Sequence, residues 1–411
     1  MEKTPGARRP GLGGFLRYVG PGLLVTVGFI DPGNWASNIA AGSGWGYALL
    51  WMVTLSTLML IVLQHNAARL GIVTGKGLSE AAAAHLGPWT GRLVLSTATL
   101  ASIFTGVAEL LGGAIAINML TGLSVKLSSL IVVAAALALQ FSNSYRKIER
   151  LIIGFVSLIG LSFVAEVSMA GVHWGEAAVG WVRPSFPDGA MPIIMSVLGA
   201  VVMPHNLFLH SSIVDSRPSG GEGGMHRRLR YAFGDTLLSM VIGWAINSAM
   251  ILMAAATFFA AGIPVTDLAQ AEALLRPLLG GAASVLFAAA LLLAGLSSSI
   301  TAGMAGGGIV AGAFGERYDI KKKRTRWGAL VTMLPAELGV LLIASPFDAL
   351  LLSQILLSVQ LPITILAQIR LTSSKKVMGE YANTGRQKAI LWAVAAVVIA
   401  LNGLLLIGVL T

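Results

Sequence analysis

Asp31-Pro32-Gly33-Asn34 interrupts an apolar stretch over residues 15–41 that otherwise reads as one continuous membrane-spanning helix. A carboxylate near the middle of a bilayer costs at least ~2.5 kcal/mol on insertion scales. Pro32 withholds a backbone donor at the same place and Gly33 loosens the helix. Irregular backbone at that depth persists where it is buried in protein or lines a watery cavity, so the tetrapeptide first suggests a substrate site at a broken helix.

The surrounding chain supports that setting. Its 411 residues are 55% hydrophobic and only 11% charged, with a mean hydropathy of +0.80. At roughly 20 apolar residues per span, this predicts an all-α polytopic membrane protein made of a single transmembrane transport domain over 1–411. Eleven spans are expected, at about 15–42, 46–70, 92–120, 124–142, 149–171, 190 to the basic loop 217–230, 231–261, 278–314, 327–344, 347–370 and 387–410. A short amphipathic helix on the membrane surface is expected at 79–86, and a tight basic turn at Ser144-Tyr145-Arg146-Lys147. A non-basic loop is expected at 173–189, where Trp174 and Trp181 suit the interface.

The net charge of +10 is read by position. Assigned alternately to the two sides, 25 of the 28 Lys and Arg residues fall on the side of the N-terminus; only Lys126, Arg183 and Arg276 fall on the other. The N-terminus is therefore expected in the cytoplasm and the C-terminus outside, in a multi-pass protein of the cell membrane. Lys3, Arg8 and Arg9 precede a run too long for a signal h-region, so span 1 is read as retained. Charge dispersed over many short loops sets topology and does not suit nucleic acid. The absence of Cys excludes disulfides, thiolate metal sites and cysteine catalysis. No His-Glu-x-x-His or Ser/His/Asp arrangement stands at convincing spacing, so neither an intramembrane metallohydrolase nor any other enzyme is expected, and no cofactor.

Span 6 carries a second interruption, Met203-Pro204-His205-Asn206, and 172 residues separate Pro32 from Pro204. Each break falls in the first span of a five-span block, repeat one at about 15–171 and repeat two at about 190–370, with span 11 additional. An odd block size inverts the second copy, the pattern of inverted-repeat secondary transporters whose site lies between two discontinuous helices at the midplane. At the first break Asp31 offers a carboxylate, and Asn34 a carbonyl oxygen about one turn on. At the second, Met203 offers a thioether, and Pro204 frees carbonyls just before it, such as that of Ala200. One anionic oxygen, neutral oxygens and a soft sulfur suit a divalent transition metal better than Ca²⁺ or Mg²⁺. An amino-acid substrate fits poorly, because Asp31 repels its carboxylate.

With both breaks in view, the chain resembles the Nramp family of divalent-metal transporters, whose two signature motifs are Asp-Pro-Gly-Asn in span 1 and Met-Pro-His in span 6. Tyr145-Arg146-Lys147-Ile148-Glu149-Arg150, Ser297-Ser298-Ser299-Ile300-Thr301-Ala302-Gly303, Leu352-Ser353-Gln354 and Leu361-Pro362 look like family segments in family order. The resemblance implies a leucine-transporter-like fold and alternating-access import of Mn²⁺ or of the Fe²⁺, Cd²⁺ and Co²⁺ class, commonly with proton co-transport. It implies metal ligation by Asp31, Asn34, the Ala200 carbonyl and Met203, with Gln354 joining in an occluded state. The expected partners are the metal ion, protons and the lipid bilayer, and the expected state is a monomer.

Glu109 in span 3, His205 and Asp31 itself are the titratable groups available for a proton route. The family usually has an Asp three residues before the span-3 Glu, and this chain has Gly106. That departure makes a Mg²⁺/Mn²⁺ transporter of the same family with weak or no proton coupling the alternative, against which Met203 stands. Glu166, Asp235, Asn247 and Glu337 are read as helix–helix or interfacial polar residues, Asn247 being the reserve candidate for the permeation path. Gly303, Gly306, Gly307, Gly308 and Gly312 are read as close helix packing, and Arg317 with residues 321–326 as a topogenic cluster.

Overall fold

The computed structural model describes residues 30–142, 171–214, 224–271 and 281–410, with the single positions 154, 167 and 168. The first half of span 1, the 144–147 turn with its family motif, nearly all of span 5 with Glu166, the first half of the 217–230 loop and Arg276 lie outside the described residues.

Helix α1 (Pro32–Trp45) begins where the sequence breaks. Asp31 is its N-cap in extended conformation, its carboxylate accepts the Asn34 N–H, and Pro32 takes the first position, where a missing donor costs nothing. A short 3₁₀ turn (Gly46–Leu49) leads into α2 (Leu50–Thr74), which ends on left-handed Gly75. The second span thus runs a turn past its expected end near residue 70. Arg69 is only 7% exposed, donating to Asn383 Oδ1 at 3.1 Å and to the Tyr381 carbonyl at 2.7 Å.

Helix α3 (Leu78–His85) departs from the expected surface helix: Leu78, Ser79, Glu80, Ala81 and Ala82 are buried. Small side chains on both sides allow this docking, with Ser79 donating to the Gly308 carbonyl and the Ser211 hydroxyl accepting from Leu78 N–H at 2.7 Å. There follow α4 (Pro88–Thr121) and α5 (Val125–Ser142). The expected loop at 173–189 contains a helix, α6 (Trp174–Val182), whose Ala177 and Gly180 pack inward; Gly180 closes on the Tyr47 carbonyl.

The second break separates α7 (Met191–Val201) from α8 (Pro204–Ile213). The remaining helices are α9 (Met225–Ala254, continued by a π turn, Ala255–Phe259), α10 (Gly281–Ala313), α11 (Lys323–Leu342), α12 (Pro346–Thr372), the short α13 (Lys375–Met378) and α14 (Gly385–Leu410). Eight helical stretches among the described residues are long and apolar enough to cross a membrane; one of them, Pro32–Thr74, joins α1 and α2. Helix α11, at the expected ninth span, is less apolar because it carries Arg324, Arg326 and Glu337.

Packing is set by close backbone approach rather than by bulk. A Cβ on Gly112 of α4 would lie 2.0 Å from Pro32, and one on Gly199 of α7 would lie 1.8 Å from the Gln354 carbonyl of α12. Without a hydrophobic force between helices in lipid, such contacts and interhelical hydrogen bonds hold the bundle. Trp35 fills the space behind the first break, fully buried, donating to the Ile30 carbonyl and meeting Phe287 edge-on at 5.1 Å.

Candidate functional site

The two breaks share one local design. Asp31 caps α1 and Met203 caps α8, both in extended conformation; each is followed by proline, and each has an asparagine at the third helical position, Asn34 and Asn206. Asn34 N–H donates to Asp31 Oδ1 at 2.6 Å, and its side-chain amide donates to the same oxygen at 3.0 Å and to the Ala200 carbonyl at 2.8 Å. Asn206 donates to the Met203 sulfur at 3.4 Å. Asn206 was missed by sequence reasoning as a site residue. The signal was present in the repeated x-Pro-x-Asn spacing, which puts the asparagine one helical turn from the capping side chain.

The predicted ligand residues lie at the two breaks and on α12 beside the first of them. Asp31, Asn34, Ala200, Met203 and Gln354 have no exposed surface at all. Asn34 bridges the two breaks to Ala200, and Met203 clusters with Ala101 of α4 and Leu357 of α12. Gln354 lies so close to the first break that a Cβ on Gly33 would stand 2.0 Å from its amide nitrogen. Three acceptors in this group have no hydrogen-bond partner: Asp31 Oδ2, Asn34 Oδ1 and Gln354 Oε1, joined by Asn206 Oδ1 at the second break. Buried polar atoms are nearly always paired, so several unpaired oxygens at the two breaks set this region apart from the rest of the core.

Glu109 of α4 stands beside them. Its Oε1, like Asp31 Oδ2, is buried without a partner, and its Oε2 accepts from the Ser298 hydroxyl of α10, which ties the serine run to the site. His205 pairs its Nδ1 with Thr105 of α4, one helical turn before Glu109, at 3.2 Å. Gly106 faces α11: a Cβ there would meet that of Ala336 at 2.9 Å, so α11 closes the space a side chain would need. Asn247 of α9 accepts from Asn38 at 2.6 Å and donates to the Gly243 carbonyl at 3.0 Å. It joins α1 to α9 about one turn beyond Asn34, as a helix–helix bond. Among the described residues no group of three or more His, Asp and Glu side chains is placed to hold a metal. The two breaks instead present one carboxylate, amide and backbone oxygens and a sulfur.

This architecture defines a multi-pass helical membrane protein with a polar site buried between two interrupted helices, and known proteins share it. A solved mutant of the Eremococcus coleocola manganese transporter superposes with a TM-score of 0.82 at 28% identity, the match covering 98% of this chain and 88% of that one. The closed nucleobase-cation-symport transporter Mhp1 superposes with a TM-score of 0.62 at 18% identity over 94% of this chain and 91% of that one, a likeness of fold alone. The fold is leucine-transporter-like. In sequence, the chain is 38% identical over 399 residues to the divalent metal cation transporter MntH 1 of Pseudomonas aeruginosa, covering 94% of this chain and 90% of that protein. It is 38% identical over 400 residues to MntH of Brucella suis, covering 94% and 87%. A model of the family described as natural resistance-associated macrophage protein-like matches residues 22–408. The chain belongs to that family, Nramp.

Proposed function

We propose that the chain is a secondary-active importer of divalent transition-metal ions, Mn²⁺ and the Fe²⁺, Cd²⁺ and Co²⁺ class, working by alternating access with proton co-transport. One observation carries the reading: Asp31, Asn34 and Gln354 each keep a buried, unpaired oxygen at or beside the first break, and Asn34 bridges to the Ala200 carbonyl of the second, where Met203 is the N-cap residue. A dication entering there takes Asp31 Oδ2 for charge and Asn34 Oδ1 and the Ala200 carbonyl as neutral oxygens, replacing the Asn34–Ala200 hydrogen bond. Met203 supplies a ligand that a hard, strongly hydrated ion does not gain from, which sets the preference against Ca²⁺ and Mg²⁺. Gln354 closes over the ion from α12.

The proton part of the reading rests on Asp31 and Glu109. Two neighbouring carboxyls away from water cannot both ionise without a partner charge, so a proton shared by the pair is displaced when the metal arrives. Ser298 holds Glu109 for that exchange, and His205 contributes from the second break. The matching helix breaks, the positive-inside charge and the five-plus-five repeat over one domain support import by rocking of one repeat against the other, with the N-terminus cytoplasmic, the C-terminus outside and a monomer as the working unit.

A second reading keeps the fold and loosens the coupling, because Gly106 offers no acid and Ala336 fills its place. It makes the protein a Mg²⁺/Mn²⁺ transporter with weak proton dependence. Reconstitution into liposomes separates the two. The proposal expects Mn²⁺ uptake with acidification of the lumen and little competition by Mg²⁺; Mn²⁺ uptake without any change in lumenal pH, together with effective competition by Mg²⁺, sinks it in favour of the second.

A further inference from the structure

Glu337 is a buried acid that the metal site does not use. It sits five residues from the C-terminal end of α11, and only 5% of it is exposed, although Leu334 and Leu338 on the same helix are 53% and 58% exposed. Its carboxyl therefore points into the bundle, towards α5. There the Ser129 hydroxyl lies 2.7 Å from Glu337 Oε1 and 2.9 Å from the Lys126 carbonyl. Glu337 Oε2 is buried with no partner.

The hydroxyl of Ser129 has one proton to give and two acceptors beside it. If Glu337 is ionised, the proton must be split between them and a full negative charge stays buried on two oxygens with that single donor. No cation offsets it among the described residues. Helix α5 carries one ionisable side chain, Lys126, which is exposed and lies a turn beyond Ser129. Helix α4 turns Gly106 and Val107 towards Ala336 and Gly339; its acid, Glu109, is bonded to Ser298, and its Arg92 lies near the opposite end. Helix α10 has no ionisable side chain over Gly281–Ala313, and the cations of α11 itself stand in its first turns. An uncompensated charge at such a place is strongly unfavourable.

A single arrangement uses every donor: Glu337 Oε1–H donates to Ser129 Oγ, and Ser129 donates onward to the Lys126 carbonyl. That chain runs from the acid towards the start of α5, the end at which the helix meets the surface. We propose that Glu337 is a proton-binding site of this protein, separate from Asp31 and Glu109, occupied in the packing seen here and loaded through Ser129 from the side of the membrane where α5 begins. The occupancy stands on geometry alone; its effect on transport rests on the importer reading above. With the proton bound, α4, α5 and α11 pack as seen; with the proton lost to solvent at high pH, a charge is left in the contact and that packing is disfavoured.

Infrared difference spectroscopy of the reconstituted, metal-free protein, on stepping the pH from mildly acidic to alkaline, tests this. The wild type should show loss of a protonated-carboxyl C=O stretch that Glu337→Gln lacks and that Ser129→Ala shifts in frequency. Glu337→Gln keeps the shape and the neutral form, so it should fold normally and take up Mn²⁺ with a shallower fall at alkaline external pH than the wild type. A carboxyl band in Glu337→Gln identical to that of the wild type, or an unchanged pH profile of uptake, overturns the inference. The band is read without metal, so wild-type protein that fails to transport Mn²⁺ would sink the importer reading and leave this one decided by the spectrum.

Discussion

A carboxylate with one oxygen bonded and the other bare behaves differently from a carboxylate fully engaged. Asp31 Oδ1 is spent on capping α1 through Asn34, whereas Oδ2 is buried without a partner. Asp31 therefore does two tasks, and Asp31→Asn should separate them. The amide keeps an oxygen to cap the helix, so folding should persist, while Mn²⁺ uptake falls to background in liposomes. Folded protein with normal uptake would remove Asp31 from the metal's ligands. Met203 has a narrower task, discrimination. In Met203→Ala the Mn²⁺ preference over Ca²⁺ and Mg²⁺ should drop by about tenfold or more, some 1.4 kcal/mol, measured by competition in the same uptake assay. Unchanged selectivity would mean that sulfur is not a ligand.

At the scale of helices, two glycines contact the same residue of α12 with different consequences. A Cβ on Gly33 runs into the end of the Gln354 side chain, whereas a Cβ on Gly199 runs into the Gln354 backbone carbonyl. A side-chain amide can swing away; a helix backbone cannot without moving α12 against α7. Gly33→Ala should therefore leave the melting temperature near that of the wild type and slow transport, because Gln354 is displaced from the site. Gly199→Ala should lower stability by about 1–3 kcal/mol, the usual cost of overpacking, read as a fall in melting temperature in detergent. Equal melting temperatures for the two variants would contradict this account of the α7–α12 contact. The buried Arg69 belongs to the same scale: with Asn383 and Tyr381 it straps the end of α2 to the chain between α12 and α14.

Across the whole molecule, the absence of cysteine makes topology directly testable. A single Cys added after the C-terminal residue should react with a membrane-impermeant maleimide from outside intact cells, and one added at the N-terminus only after permeabilisation. The reverse pattern would overturn the orientation. Much of this molecule follows from one-dimensional pattern. Hydropathy and length place the spans, because every backbone group in lipid must be paired within its own helix. Proline after Asp31 and after Met203 places the two breaks, because a missing donor and a ring clash act on the nearest turn. What the chain order did not show is where side chains separated by long stretches of sequence end up. The helix at Trp174–Val182 and the docking of α3 onto α8 and α10 are set by glycine, alanine and serine faces that look featureless along the chain. The bond from Ser298 to Glu109 and the filled space opposite Gly106 emerge only from the packing of α4, α10 and α11. Which oxygens stay unpaired is likewise a tertiary fact, since the sequence supplies donors and acceptors by residue type, whereas pairing depends on which helices approach and at what height.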